Sequence, residues 1–351
     1  MMESLYTSVR VRLFLSDCTA AKTNELGVVS MLQAVLLFAL GLVLLIKGGD
    51  WFVDGATGLA RRFKLPDIIV GATVVSIGTT LPEVMVSVTG ALQGQGAMAY
   101  GNAIGSIICN TSLIAAISVA CNPGKVNVKT MKMPVIFFFC SAALYCVAAY
   151  FLGEFPQWLG FVLLAIFAVY MFITVRQGMK NPDEVEEEEG EAKERPFWME
   201  LALLVVGAAV IAVGADLLVD NGTFIAKELG VPETVIALTF VALGTSLPEL
   251  VTTITSLRKG HASLGIGNVI GANIFNLVLV SGASVALAPF TVPVGNMLFG
   301  INSSLVLDMP LMVIVMALLC VPALMKKKLG RWQGITLLCI YAAFCACQFM
   351  L

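Results

Sequence analysis

Charge is scarce in this sequence: Asp, Glu, Lys and Arg make up 13% of its 351 residues, and the formal net charge is −2. Its basic residues form no stripe that would neutralise a phosphate backbone, which excludes nucleic acid as a partner. Histidine is reduced to one, His261, which follows Arg258 and Lys259 in a short loop. No second His or paired Cys accompanies it, so it is read as a loop residue and not as a metal ligand. The nine cysteines lie scattered, most of them inside apolar runs, with neither zinc-site spacing nor a secreted disulfide framework. They are read as small hydrophobic packers. A Ser–His pair and an HExxH run are both missing, so hydrolytic chemistry has no obvious machinery, and neither enzymatic activity nor a cofactor is expected. A secretory signal is lacking too. Residues 1–30 carry Arg10, Arg12 and Lys22 around a short apolar patch, without the continuous apolar core and cleavage site a signal needs. They are expected to be a disordered tail or the product of a start codon placed too early.

What the sequence has in abundance is apolar surface. Hydrophobic residues are 58% of the chain and mean hydropathy is +0.92, far above a soluble globular mixture. A helix needs about 20 apolar residues to span a bilayer. Ten segments qualify: 31–53, 67–92, 98–121, 133–152, 156–176, 197–219, 233–257, 263–288, 308–325 and 332–351. The reading is an all-α integral membrane protein with the lipid bilayer as its surroundings, and a monomer suffices for it.

Between the fifth and sixth segments lies the one strongly hydrophilic stretch, 177–196, with the acidic run Glu186 to Glu189. It lacks the alternating ligands and turn glycine of a calcium loop and is read as a solvated linker. Lys and Arg concentrate in cytoplasmic loops. Placing Arg61, Arg62, Lys64, Arg176, Lys180, Lys193, Arg195, Arg258, Lys259 and Lys326 to Lys328 inside leaves both termini outside and the acidic linker cytoplasmic. The expected location is the cell (inner) membrane, crossed many times.

Sliding the sequence on itself by 166 residues aligns its halves without a gap from Gly48 to about Val126, and 15 of 40 positions agree between 71–110 and 237–276. The halves are copies. Residues 31–176 form a first five-helix repeat and 197–351 a second. An odd number of spans turns the second copy upside down, the inverted-repeat plan of secondary transporters, with the substrate near the midplane where the copies meet.

Glu83 and its copy Glu249 sit inside apolar spans with no Lys or Arg at comparable depth in the same segments. An intramembrane acid costs several kcal/mol on most scales and marks a functional site. Each Glu follows a proline, Pro82 or Pro248, which should kink or break the helix and free the carbonyl four residues back, that of Gly78 or Gly244. Thr79 and Thr245 lie one turn before each Glu on the same face. Asn110 and Asn276 follow 27 residues after each. Carboxylates, amide carbonyls, hydroxyls and freed backbone carbonyls make an all-oxygen cage suited to hard cations such as Ca²⁺ and Na⁺. Two negative charges can be balanced by one Ca²⁺ or by several Na⁺, which is the physical basis for exchanging one for the other. Asp50 and Asp54, with copies Asp216 and Asp220, either line ion entrances, pair with Lys47 or end helices in solvent. Asp308, before Pro310, is read as a helix N-cap.

The segments GTTLPE (78–83) with GNAIGSIICN (101–110), and GTSLPE (244–249) with GNVIGANIFN (267–276), resemble the two alpha-repeats of the calcium/cation antiporter superfamily, close to its prokaryotic sodium/calcium exchangers. That resemblance implies a ten-helix fold in which helices 2, 3, 7 and 8 bind the ions while helices 1 and 6 slide past them. It puts the central acids on Glu83 and Glu249, and adds side-chain oxygens from Thr79, Thr80, Thr245, Ser246, Ser106, Asn110 and Asn276. Backbone carbonyls would come from Ser76 and Ala242. Ala272 departs from the serine many members carry there. Potassium-dependent members resemble an arrangement with Asp in the second repeat, which Asn276 lacks. Sodium/calcium exchange by alternating access is the expected function, with proton/calcium exchange second and a passive cation channel third.

Overall fold

The computed structural model describes the backbone of residues 2–350 apart from 64, 66, 127, 181–194, 230–243, 245, 295, 296 and 299, and backbone alone for residues 2–30, 67, 130, 178–180, 226, 298, 349 and 350. The chain is almost entirely helical. The α-helices are α1 (Met2–Arg62), α2 (Asp67–Val70), α3 (Ser76–Leu92), α4 (Gly96–Cys109), α5 (Ala116–Cys121), α6 (Val128–Val147) and α7 (Gln157–Lys180). There follow α8 (Phe197–Glu228), α9 (Leu247–Arg258), α10 (Ala262–Phe275), α11 (Ser281–Leu287), α12 (Met309–Lys326) and α13 (Arg331–Met350). Short π-helical turns join several of them: Gly71–Val75 links α2 to α3, Asn110–Ala115 links α4 to α5, and Asn276–Val280 links α10 to α11.

Among the described residues eight helical spans are long and apolar enough to cross a membrane, from Met31–Arg62 to Ser304–Lys326. They coincide with eight of the ten expected segments. Of the other two, 233–257 is described only in its later part as α9, residues 230–243 lying outside the described residues, and 332–351 corresponds to the 20-residue α13. The acidic linker also falls largely outside them, at 181–194. The backbone is helical from Met2 onward, continuous with the first span. The stretch 1–30 holds no proline and a single glycine, Gly27, so nothing in it interrupts a helix.

The spans divide by burial. Of the apolar window in Met31–Arg62 22% is buried and in Phe197–Ile225 28%, against 89% in Ala262–Leu287. The α10/α11 span is therefore central, while α1 and α8 are peripheral and expose Leu36, Val43, Val205 and Val213 outward. Lipid tails supply no hydrophobic force between helices, so close packing must hold α1 to α8. Glycines provide it. A Cβ on Gly48 would lie 2.9 Å from the Ile211 nitrogen and 3.1 Å from the Gly207 oxygen, and one on Gly55 would lie 2.5 Å from the Leu204 nitrogen. Partners fall in sequence number as α1 rises, so the two helices run antiparallel.

Short strand pairs close the helix ends. Gly124–Lys125 pairs antiparallel with Lys328–Leu329, and Glu154–Phe155 with Phe290–Thr291. Phe290 and Thr291 stand 166 residues after Gly124 and Lys125, so the same element of each copy reaches into the other half.

Candidate functional site

Helix α3 is amphipathic in the inverted sense. Ser76, Thr79, Thr80, Glu83 and Ser87 make a buried polar face at helical spacing, while Leu81 and Met85 on the opposite side are 53% and 66% exposed. The second copy repeats the pattern in α9, where Glu249, Thr252, Thr253 and Ser256 are buried and Ile254 faces outward. Helix α3 runs through Pro82 without a break, the expectation there being a kink or a break; a missing N–H removes one hydrogen bond, which neighbouring helices can offset. In the second copy Pro248 sits in the first turn of α9, where its absent N–H leaves nothing unpaired.

Helices α4 and α10 bring the asparagines to these faces. Asn110 and Asn276 each open a π-helical turn, at Asn110–Ala115 and Asn276–Val280. A π turn inserts one extra residue and rotates the side chains at its start, and such bulges gather at functional sites. Glycines let the carriers approach. A Cβ on Gly71 would lie 2.8 Å from the Asn268 nitrogen, and one on Gly271 would lie 2.6 Å from the Ala72 Cα. The α10 backbone thereby presses on the chain that leads into α3.

Every expected site residue that is described is buried: Ser76, Thr79, Thr80, Glu83, Ser106, Asn110, Ser246, Glu249 and Asn276. Ala242 and Thr245 lie outside the described residues. Glu249 sits beside Thr79 and Thr80 of the first copy, and it is close enough to Glu83 for its charge to bear on that carboxylate. Both carboxylate oxygens of Glu83 and of Glu249, both terminal atoms of Asn110 and of Asn276, and the hydroxyls of Thr80 and Ser246 are buried with no hydrogen-bond partner among the described residues. A neutral group so stranded costs roughly 1–3 kcal/mol and a charged one more. The carboxylate, amide and hydroxyl oxygens among them are of the kind that hard cations take as ligands. Among the described residues no group of three or more His, Cys, Asp or Glu forms.

Several polar residues at the site were not anticipated. The Thr79 hydroxyl donates to Asn268 Oδ1 at 3.2 Å, and Asn102 Nδ2 donates to Ser87 Oγ at 2.8 Å and to the Glu83 carbonyl at 3.2 Å. Asn273 Nδ2 donates to the Thr111 hydroxyl at 2.7 Å. Asn102 and Asn268 recur at the copy spacing, which is a sequence signal. Asn273 stands where the first copy has Ile107 and carried none.

The weaker candidates resolve differently. Asp54 pairs with Lys259 at 2.6 Å and with Arg195 at 3.7 Å, and Asp50 lies 3.8 Å from Lys259. Lys259, beyond the end of α9, is thus the close partner of these acids, where pairing with Lys47 is one of the three alternatives the sequence leaves open. Asp308 directly precedes α12, at the end of the π-helical turn Ser304–Asp308, but caps no helix N–H; its Oδ1 accepts from Gln348 Nε2 at 3.2 Å.

The chain is 30% identical to the sodium/calcium exchanger MaX1 of Methanosarcina acetivorans over 88% of its own length and 96% of that protein's. It is 34% identical to the inner membrane protein YrbG of Escherichia coli over 74% and 81%. In three dimensions it resembles the sodium-calcium exchanger NCX_Mj soaked with Na⁺, with a TM-score of 0.76 and 32% identity over 90% of this chain and 99% of that one. Residues 33–176 and 199–350, most of both halves, match the family described as sodium/calcium exchanger protein, and the chain belongs to that family.

Proposed function

We propose that the chain is a secondary active transporter that exchanges Na⁺ for Ca²⁺ across the cell membrane by alternating access. The observation that carries this reading is that Glu83 and Glu249, one from each copy, are near enough for the charge of one to bear on the other and are buried with all four carboxylate oxygens unpartnered among the described residues. One Ca²⁺ balances the two charges, and Na⁺ ions in adjacent positions balance them as well. Because the same oxygens serve both cargoes, the cations displace one another. With neither bound, two uncompensated carboxylates in low dielectric disfavour reorientation, which couples movement to loading. Glu83, Glu249, Asn110, Asn276, Thr79, Thr80, Ser246 and Ser106, with Thr245, would supply side-chain oxygens, and Ser76 and Ala242 backbone carbonyls.

The proposed plan is ten transmembrane helices in two inverted five-helix repeats, 31–176 and 197–351, with both termini outside and the linker cytoplasmic. The antiparallel contact of α1 with α8 supports it, since equivalent helices must oppose one another in an inverted pair.

Calcium-45 uptake into sodium-loaded proteoliposomes diluted into sodium-free, potassium-free buffer tests the function. Accumulation that requires the sodium gradient supports exchange. Uptake driven by a pH gradient and indifferent to sodium would replace sodium with protons, and calcium that only equilibrates would mean a channel.

A further inference from the structure

The two copies use the same asparagine differently. Asn102 stays within its own copy, donating to Ser87 Oγ and to the Glu83 carbonyl. Its equivalent Asn268 reaches across to the first copy, where its Oδ1 accepts the Thr79 hydroxyl at 3.2 Å. Ser76 lies 3.3 Å from the same atom, but its proton has a shorter acceptor in the Gly71 carbonyl at 2.7 Å. The partners that Asn268 would hold if it behaved like Asn102 are Thr253 Oγ1 and the Glu249 carbonyl. Thr253 Oγ1 and Asn268 Nδ2 are both buried and both without a partner among the described residues. Thr253 packs against α10 near Asn268, its Cα 3.3 Å from where a Gly265 Cβ would stand.

A hydroxyl that ligates a cation must turn its lone pairs to the ion and its proton away. Thr79 lies beside the Glu249 carboxylate, and without another acceptor its proton would rotate onto that carboxylate and compete with the cation. We propose that Asn268 is a positioning residue with two settings: here it takes the Thr79 proton and aligns that hydroxyl for the ion, and in the opposite access state it releases Thr79 and donates to Thr253 and the Glu249 carbonyl, as Asn102 does to Ser87 and Glu83. The second setting rests on the alternating-access reading above.

Two double-mutant cycles in proteoliposomes test it, with transport normalised to reconstituted protein. Asn268→Ala and Thr79→Val should each raise the KM for calcium by roughly five- to tenfold, the scale of one lost hydrogen bond, and the double variant should be no worse than Thr79→Val alone. Thr253→Val, nearly isosteric, should slow maximal turnover by about three- to tenfold with KM unchanged, and add nothing to the slowing in Asn268→Ala. A merely structural asparagine would lower the yield of active protein without moving KM. Additive effects on KM with Thr79, or Thr253→Val turning over like wild type, would overturn the proposal. If Asn268→Ala does not fold, the Thr253→Val arm decides alone. Wild-type protein that shows no sodium-driven uptake would instead refute the exchanger reading itself, a separate result.

Discussion

A Cβ placed on Gly41 would lie 2.8 Å from the Gly214 carbonyl oxygen, and one placed on Gly214 would lie 2.9 Å from the Gly41 carbonyl oxygen. The relation is reciprocal, and it has a symmetry partner: Gly48 meets Gly207, while Gly214 and Gly207 are the copies of Gly48 and Gly41 at the 166-residue spacing. Each helix offers the other the same patch, as in a two-fold contact. Gly214→Leu should therefore force α1 and α8 apart and cost about 1–3 kcal/mol, the usual penalty of overpacking. Thermal unfolding in detergent reads it as a lowered midpoint, and an unchanged midpoint would mean that the seam is not closely packed.

The stranded carboxylates make a second prediction, about stability. Glu83→Gln and Glu249→Gln each remove a buried charge with no partner among the described residues, so in cation-free buffer neither variant should melt below wild type. Calcium should raise the wild-type midpoint, since a ligand at 100 times its Kd stabilises by about 2.7 kcal/mol. That shift should vanish in both variants. A calcium-induced shift that survives in either would place the ion elsewhere.

Lys259 ties the end of α9 to α1 through Asp54 at 2.6 Å, with both side chains about a third exposed. Exposed pairs are worth little, so Lys259→Met should cost no more than about 1 kcal/mol, and the loss should shrink as salt is added. Chemical denaturation at low and high ionic strength checks this. A loss that salt leaves untouched would show that the stem's packing matters more than its charge.

How much of this could be read from the sequence differs residue by residue. Glu83, Thr79 and Asn110 announced themselves because polar groups in apolar spans are costly and each was repeated in register as Glu249, Thr245 and Asn276. Asn268 had the same signal through Asn102, but its role depends on reaching Thr79 in another helix, which no spacing along one segment reveals. Asn273 had no signal, since its partner Thr111 is 162 residues away and its copy position is apolar. The π turns at Asn110 and Asn276 were hidden because one extra residue barely changes a hydropathy pattern. Helix α3 runs on through Pro82 because the cost of a proline depends on what surrounds it, and that is tertiary information.

The most direct test of the paired site compares calcium-45 uptake by sodium-loaded proteoliposomes containing wild type, Glu83→Gln or Glu249→Gln. If the two copies contribute equally to one cage, wild type accumulates calcium against its gradient and each single variant abolishes that accumulation. Sodium-driven accumulation persisting in either variant would contradict a shared site.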